Sequence, residues 1–406
     1  MNEVNTSSQG ASRDPSSDDS MRTRVEAALA DRFGEAIARE ATLDRRGGHA
    51  SLRIYWRVEL PAPASGRSYP RGDRVLRALA LPEAGATPGE APPPDPRAGF
   101  RDAADAWPFV NVQRYLHRIG MPVPAIDHVD VARGVLLIED LGDELFEHAV
   151  WRAAGVDFDD HDVPPGPLGG EAVFGLYRTV LDVVLELHRA ARRSLADPAF
   201  GEAARCVAFE REFDREALRW ELDHYREWGL QARLGDDAVR PHEAALADAF
   251  DRLTGALLAL PQTLALKDLQ SRNVMRKAGR WYVIDFQDAL RAPFVYDLVA
   301  LLRDSYVVLD DALVDDLLNY YVAEGARAGL PWCEDPAAVK RAFHLQTVQR
   351  KLKDAGRFIF VEREKGKDEF LPYYEPSVGY ARRALDELPD FADLRDVLAE
   401  VEPAFG

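Results

Sequence analysis

Cysteine is almost missing from this chain: Cys206 and Cys333 are the two among 406 residues, far apart and without metal-ligand spacing around either. That excludes a disulfide framework, argues against a zinc site and fits a reducing cytoplasm. Long apolar runs are missing too, although 47% of the residues are hydrophobic and 30% charged, so no transmembrane helix is expected. The first twenty residues, MNEVNTSSQGASRDPSSDDS, lack the apolar stretch of a secretory signal and read as a disordered tail, 1–20. Positive charge is scarce: 51 Lys and Arg stand against 69 Asp and Glu, a net charge of −18. Nucleic acid and anionic membrane surfaces are therefore poor partners, and an anionic small molecule would need cations placed locally.

What is present has the order of a two-part chain, long enough for two apolar cores. An Ala-rich stretch from Met21 to Glu40, with Val25, Leu29 and Phe33 on one face, reads as a helix starting after Asp19 and Ser20. Leu52, Ile54, Trp56, Val58 and Leu60 then alternate with polar residues, the period of a half-buried antiparallel strand, with Gly47 and Gly48 just before it. RVLRALAL, Arg74 to Leu81, is a second strand, and the Pro-rich loop 82–98 cannot hold regular structure. A helix over 105–119 ends at Gly120, and strands are expected over 125–131 and in GVLLIEDL, 134–141. Beyond Asp143 the patterns become helical, with Val173, Leu176, Tyr177, Val180, Val184 and Leu187 on one face.

Within that helical half, PQTLALKDLQSRNVMRKAGRWYVIDFQDA brings strands and loops back. Asp268 and Asn273 lie five apart on a loop, and the apolar strand WYVI delivers Asp285 at its end. Phosphoryl transfer needs a carboxylate to orient the attacking hydroxyl and accept its proton, plus oxygen ligands that hold magnesium against the phosphates. Asp268, Asn273 and Asp285 supply that set, at the spacing of a kinase catalytic loop and its metal aspartate. Any one of them alone would more often be a turn or cap residue; the joint pattern carries the reading.

Together with GGHASLRIYWRV, GVLLIEDLGD, FDREALRWELDHYREWGL, IDFQDALRAPFVYDLVALLRDSY and QRKLKDAGRF, this segment resembles the aminoglycoside phosphotransferase-like kinases. Within them it is similar to the bacterial anomeric N-acetylmuramate/N-acetylglucosamine kinases. The resemblance implies an α+β, bilobal protein-kinase-like fold with ATP in the cleft: a small β-rich N-lobe at 21–140 and a larger, mainly helical C-lobe at 141–406. It implies Asp268 as catalytic base, Asn273 and Asp285 as Mg²⁺ ligands, and adenine on the backbone of Glu139 and Leu141. Gly47, Gly48, His49 and Ser51 would cover the phosphates. The acceptor would be an amino-sugar, phosphorylated at its anomeric hydroxyl in the salvage of cell-wall sugars. An aminoglycoside- or choline-type acceptor and a nucleotide-binding pseudokinase are the alternatives.

The sequence departs from the family pattern in two places. Leu266 stands where the catalytic loop usually opens with His, and the usual phosphate-binding lysine is missing from the strand, where Arg77 is its substitute or else a solvated strand residue. Lys267 and Arg272 could face the γ-phosphate or the sugar, or water. Arg350 and Lys353 share a helix face that is either solvated or meets a substrate carboxylate. Asp297 and Asp304 read as structural anchors, and His188 as a packing residue.

Overall fold

The computed structural model describes residues 15–46, 54–63, 68–69, 72–80, 104, 107–157, 166–196 and 206–405. The chain divides into two compact units, one of residues 1–107 and 124–140, the other of 108–123 and 141–406.

The first unit opens with helix α1 (Pro15–Phe33), six residues earlier than the Asp19/Ser20 signal suggests. Gly34, at φ 95°, breaks the expected single helix and starts α2 (Glu35–Glu40). A five-stranded antiparallel sheet follows, in spatial order β1 (Thr42–Arg46), β2 (Ile54–Glu59), β3 (Val75–Ala80), β5 (Val135–Glu139), β4 (Ile126–Asp130). Strand β1 has no alternating apolar pattern and is missed by sequence reasoning; it pairs with β2 from Thr42–Glu59 to Arg46–Tyr55. One face of the sheet buries Trp56, Val58, Leu76, Ala78, Val135 and Leu137 with Val25 and Leu29 of α1. Because side chains alternate, Arg57 and Arg77 fall on the other face, directly opposite each other across β2 and β3.

The second unit is mostly helical. Helix α3 (Pro108–Arg118) belongs to it: the Asn111 side chain accepts the Val207 N–H at 2.8 Å, and Tyr115 is hydrogen-bonded to Ser194 at 2.8 Å. After α4 (Phe146–Ala153) comes α5 (Glu171–Ala196), whose Val173, Tyr177, Val180, Val184 and Leu187 are buried as their spacing predicts, while Leu176 is half-buried. Helix α6 (Arg215–His224), capped by the Asp214 carboxylate on the Ala217 N–H, runs into a π-helical segment, Tyr225–Gln231. Helix α7 (Glu243–Leu258) leads to β6 (Gln262–Ala265), which pairs with β9 (Leu290–Pro293). Between them, β7 (Val274–Lys277) and β8 (Arg280–Val283) form a hairpin whose two turn residues, Ala278 and Gly279, both have positive φ, the geometry that a tight two-residue turn requires. Helices α8 (Tyr296–Leu302), α9 (Asp311–Arg327), α10 (Pro336–Lys365), α11 (Tyr374–Asp386) and α12 (Ala392–Val401) complete the unit. The 30-residue α10 starts at an Asp335 cap followed by Pro336 and stops at Gly366, φ 64°, the start and stop signals of a long helix. Among the described residues, no helix is long and apolar enough to cross a membrane.

Candidate active site

The site grows from the loop between β6 and β7. Leaving the buried strand β6, the chain passes through Leu266, 2% exposed, so an apolar residue fills the first loop position as a core side chain. Lys267 adopts φ 77°, a left-handed conformation that a residue with a Cβ holds only when its surroundings fix it. Two groups do so. The Asp297 carboxylate, wholly buried in the first turn of α8, accepts the N–H groups of Leu266 at 2.7 Å and Lys267 at 3.1 Å. The Arg350 guanidinium of α10 donates to the Lys267 carbonyl at 2.9 Å and lies 3.4 Å from Asp268 Oδ1. Burial pushes the Asp297 carboxyl up to about 7, against the two N–H donors and Arg350, which favour the carboxylate.

Asp268 is thus held from behind while about a third of its side chain stays exposed. Asn273 donates from Nδ2 to the Asp268 carbonyl at 2.8 Å, which ties the two ends of the D-x-x-x-x-N loop and fixes which end of the amide is oxygen. The Ser271 N–H donates to Asp304 Oδ2 at 2.7 Å, and Asp304 Oδ1 accepts the Tyr306 N–H at 3.0 Å. Asp297 and Asp304 are the anchors their position suggests.

Asp285 comes to Asn273 through the hairpin. Val274 faces Val283, and the next rung is the Ile284 N–H on the Asn273 carbonyl at 2.9 Å, so the residue after Ile284 emerges beside Asn273. Asp285 is exposed, at φ 61°, and Gln287 donates to its Oδ1 at 2.8 Å. The structure therefore brings together Asp268, Asn273 and Asp285, two carboxylates and an amide oxygen. That is a hard-oxygen donor set, which suits magnesium.

Of the cations expected near this loop, Arg272, Arg350 and Lys353 have partners within the fold. Arg272 donates to the buried Glu147 at 2.8 Å, and its guanidinium lies 3.7 Å from the centre of the Tyr306 ring, so it braces the loop against α4. Arg350 is neither a solvated residue nor a carboxylate receptor on an open face: it is 1% exposed and props Asp268. Lys353 is partly exposed, 3.2 Å from Asp354. Burial would raise Asp354, but Lys351, Lys353 and Arg350 outweigh it and hold this carboxyl well below the usual range.

In the first unit, Arg77 is not a solvated strand residue. Its Nε and Nη2 lie 3.2 and 3.0 Å from Asp140 Oδ1, while Arg57 Nη2 lies 3.3 Å from Oδ2. The buried Asp140 carboxylate relieves two like charges that sit directly opposite each other. Sequence reasoning missed Arg57 and the Asp140 side chain; the signal was the strand period, which puts Arg57 and Arg77 on a common face. Glu139 ends β5, its N–H on the Ala125 carbonyl at 2.8 Å and its carboxylate accepting the Ala125 N–H at 3.1 Å. Leu141 is buried. Gly47, Gly48, His49, Ser51 and the loop 82–98 lie outside the described residues.

His188 is buried, with Nδ1 2.8 Å from the Tyr321 hydroxyl, and burial lowers its imidazole to about 3, so it packs as a neutral ring.

The chain is similar to known proteins. The chain is 29% identical over 300 residues to the N-acetylmuramate/N-acetylglucosamine kinase of Neisseria meningitidis serogroup B, covering 74% of this chain and 81% of that protein. It is 28% identical over 355 residues to the protein of the same name from Pseudomonas aeruginosa, covering 85% and 88%. A choline kinase from Cryptosporidium parvum shares the fold, with a TM-score of 0.56 at 11% identity over 92% of this chain and 98% of that one. The sequence model of the phosphotransferase enzyme family matches residues 42–333. A β-rich first unit, a helical second unit and a family match over most of the chain make this protein a kinase of the phosphotransferase enzyme family, with the protein-kinase-like fold.

Proposed function

We propose that this enzyme transfers the γ-phosphate of ATP to the anomeric hydroxyl of an amino-sugar, N-acetylmuramate or N-acetylglucosamine, in the salvage of cell-wall sugars. The single observation that carries the reaction type is the loop in which Asn273 clamps the Asp268 carbonyl while Asp285 emerges beside it. The names of the relatives support the acceptor.

Asp268 orients the hydroxyl and takes its proton. An anomeric hydroxyl is more acidic than an ordinary alcohol, so a carboxylate of modest basicity suffices. Asn273 Oδ1 and the Asp285 carboxylate would hold magnesium: Nδ2 of Asn273 is engaged, which leaves its oxygen as the ligand, and Gln287 steadies Asp285 through Oδ1. Magnesium, when bound, supplies charge neutralisation for the phosphate oxygens. Arg77, seconded by Arg57, takes the role of the missing strand lysine, its forked donors suiting a phosphate. The backbone of Glu139 and Leu141 receives adenine.

A panel of acceptors tests this reading through ADP release with ATP and Mg²⁺. N-acetylmuramate or N-acetylglucosamine should support turnover, located at the anomeric position of the product, and Asp268→Asn should lower kcat by at least about a thousandfold with binding retained. ATP binding without turnover of either sugar would overturn it.

A further inference from the structure

The row of cations on α10 does not end at the loop. Arg350, Lys353 and Arg357 lie at i, i+3 and i+7, along one face over about 10 Å. Arg350 is bonded to the Asp268 end of that row. Lys353 lies close enough to Asp268 for their charges to interact. Burial would lower its ammonium, but Asp354 and Glu221 outweigh that and keep it charged. Arg357 is exposed, its guanidinium 4.9 Å above the Phe360 ring. In a chain of net charge −18, this is a local cation row leading outward from the reacting end.

Helix α6 packs against α10 here and contributes an aromatic platform. Trp220 is 60% exposed, the one aromatic among the exposed large hydrophobic residues described. Its indole stacks on His224 at 5.3 Å and 22°. His224 is 6% exposed, bounded also by Trp228 at 6.3 Å and Phe360 at 5.5 Å, and its Nε2 has no hydrogen-bond partner. Burial, reinforced by Arg357 and Lys353, lowers its imidazole to about 4, so a neutral ring backs one face of Trp220 and leaves the other to solvent. A flat, exposed indole backed by a fixed ring costs little entropy to bind against, and it suits the apolar C–H face of a pyranose.

We infer that this face of α6 and α10 is the acceptor subsite and that it selects a pyranose bearing a carboxylate, with the ring on Trp220 and the carboxylate at Lys353 and Arg357. The inference rests on the reading of Asp268 as the base, because that reading fixes where the reacting hydroxyl lies. A neutral sugar would use the indole and leave the cations solvated; a carboxylated one uses both.

Calorimetric titration of the full chain, with a non-hydrolysable ATP analogue and Mg²⁺ present, separates the two. N-acetylmuramate and N-acetylglucosamine are the probes, since one has a carboxylate and the other does not. Trp220→Ala should weaken both sugars about tenfold. Arg357→Ala and Lys353→Met should weaken N-acetylmuramate about tenfold and N-acetylglucosamine by less than about twofold, with nucleotide affinity unchanged. Equal effects of the cation variants on the two sugars, no effect of Trp220→Ala, or no binding of either sugar to the wild type overturns the subsite. If the sugars bind with this pattern but no ADP forms, the subsite stands and the proposed reaction fails; if ADP forms while the variants change nothing, the reaction stands and the subsite fails.

Discussion

Replacing Arg350 with Met keeps the volume and removes the fork that holds the Asp268 loop. Three contacts vanish: the 2.9 Å bond to the Lys267 carbonyl, the 3.4 Å pair with Asp268 and the cation 5.0 Å from the Tyr296 ring centre. Breaking a buried ion pair costs about 3–5 kcal/mol, because one charge is left uncompensated. Asp268 is a third exposed, so water recovers part of that loss, and about 2–4 kcal/mol of stability should go. The kinetic effect has a different origin. Lys267 at φ 77° is then held by Asp297 alone, and a displacement of about 1 Å at the next residue costs roughly a hundredfold in kcat. Arg350→Lys, with its charge kept but no fork, should fall between wild type and Met on both scales. Urea unfolding gives the first quantity and ADP release at saturating substrates, corrected for folded fraction, the second. If Arg350→Met unfolds within about 0.5 kcal/mol of wild type and turns over within about threefold of it, Arg350 is not the prop described.

Asp285→Asn should raise the magnesium concentration for half-maximal ADP release about tenfold or more while leaving the unfolding midpoint in place; an unchanged magnesium requirement would remove Asp285 from the metal site. Gly356→Ala places a Cβ 2.8 Å from the Tyr225 Cα and 3.0 Å from the His224 carbonyl oxygen, backbone that cannot step aside, so urea unfolding should show a loss of about 1–3 kcal/mol. His188 tests the pH dependence. Its folded value lies near 3, below the unfolded 6.5, so the unfolded chain binds more protons and stability falls as pH drops from about 6.5 towards 3. Between pH 7 and 5 the wild type should lose about 2 kcal/mol through this group, and His188→Gln should lack that portion of the slope. Parallel slopes would mean that the ring is not held neutral.

The sequence makes the loop from Asp268 to Asp285 readable because its geometry is local. Asp268, Asn273 and Asp285 occupy fixed positions on a loop and a hairpin, and the hairpin register follows from WYVI and the Ala278-Gly279 turn. Period also reveals β2 and the buried face of α5. What it hides is pairing at long range. Arg272 meets Glu147 across 125 positions, Arg350 meets Asp268 across 82, and Arg77 meets Asp140 across 63. Nothing in the neighbouring residues says that an arginine on a helix is buried, so a charged pair at i and i+3 reads as a solvated face although one member is a core residue. The converse holds for β1, whose sequence TLDRR has no apolar alternation because its pairing with β2, not its own pattern, makes it a strand.

The same separation decides how the cations around the loop divide their work. On the proposed function, a chain with eighteen excess negative charges would place anionic ligands near the Asp268 and Asp285 carboxylates. Arg350 and Arg272 cannot serve those ligands, because each is already bonded within the fold and exchanging those bonds would release the loop they hold. In the proposed acceptor subsite, ligand charge falls first to Arg357, which is exposed on α10. Substituting Arg350 or Arg272 should damage stability and kcat together, whereas substituting Arg357 should move KM with the unfolding midpoint unchanged. Measuring both quantities on Arg272→Met and Arg357→Ala tests the division. A KM-only effect at Arg272, or a kcat and stability effect at Arg357, would reverse it, because the ion pair with Glu147 would then be expendable and the exposed α10 cation structural.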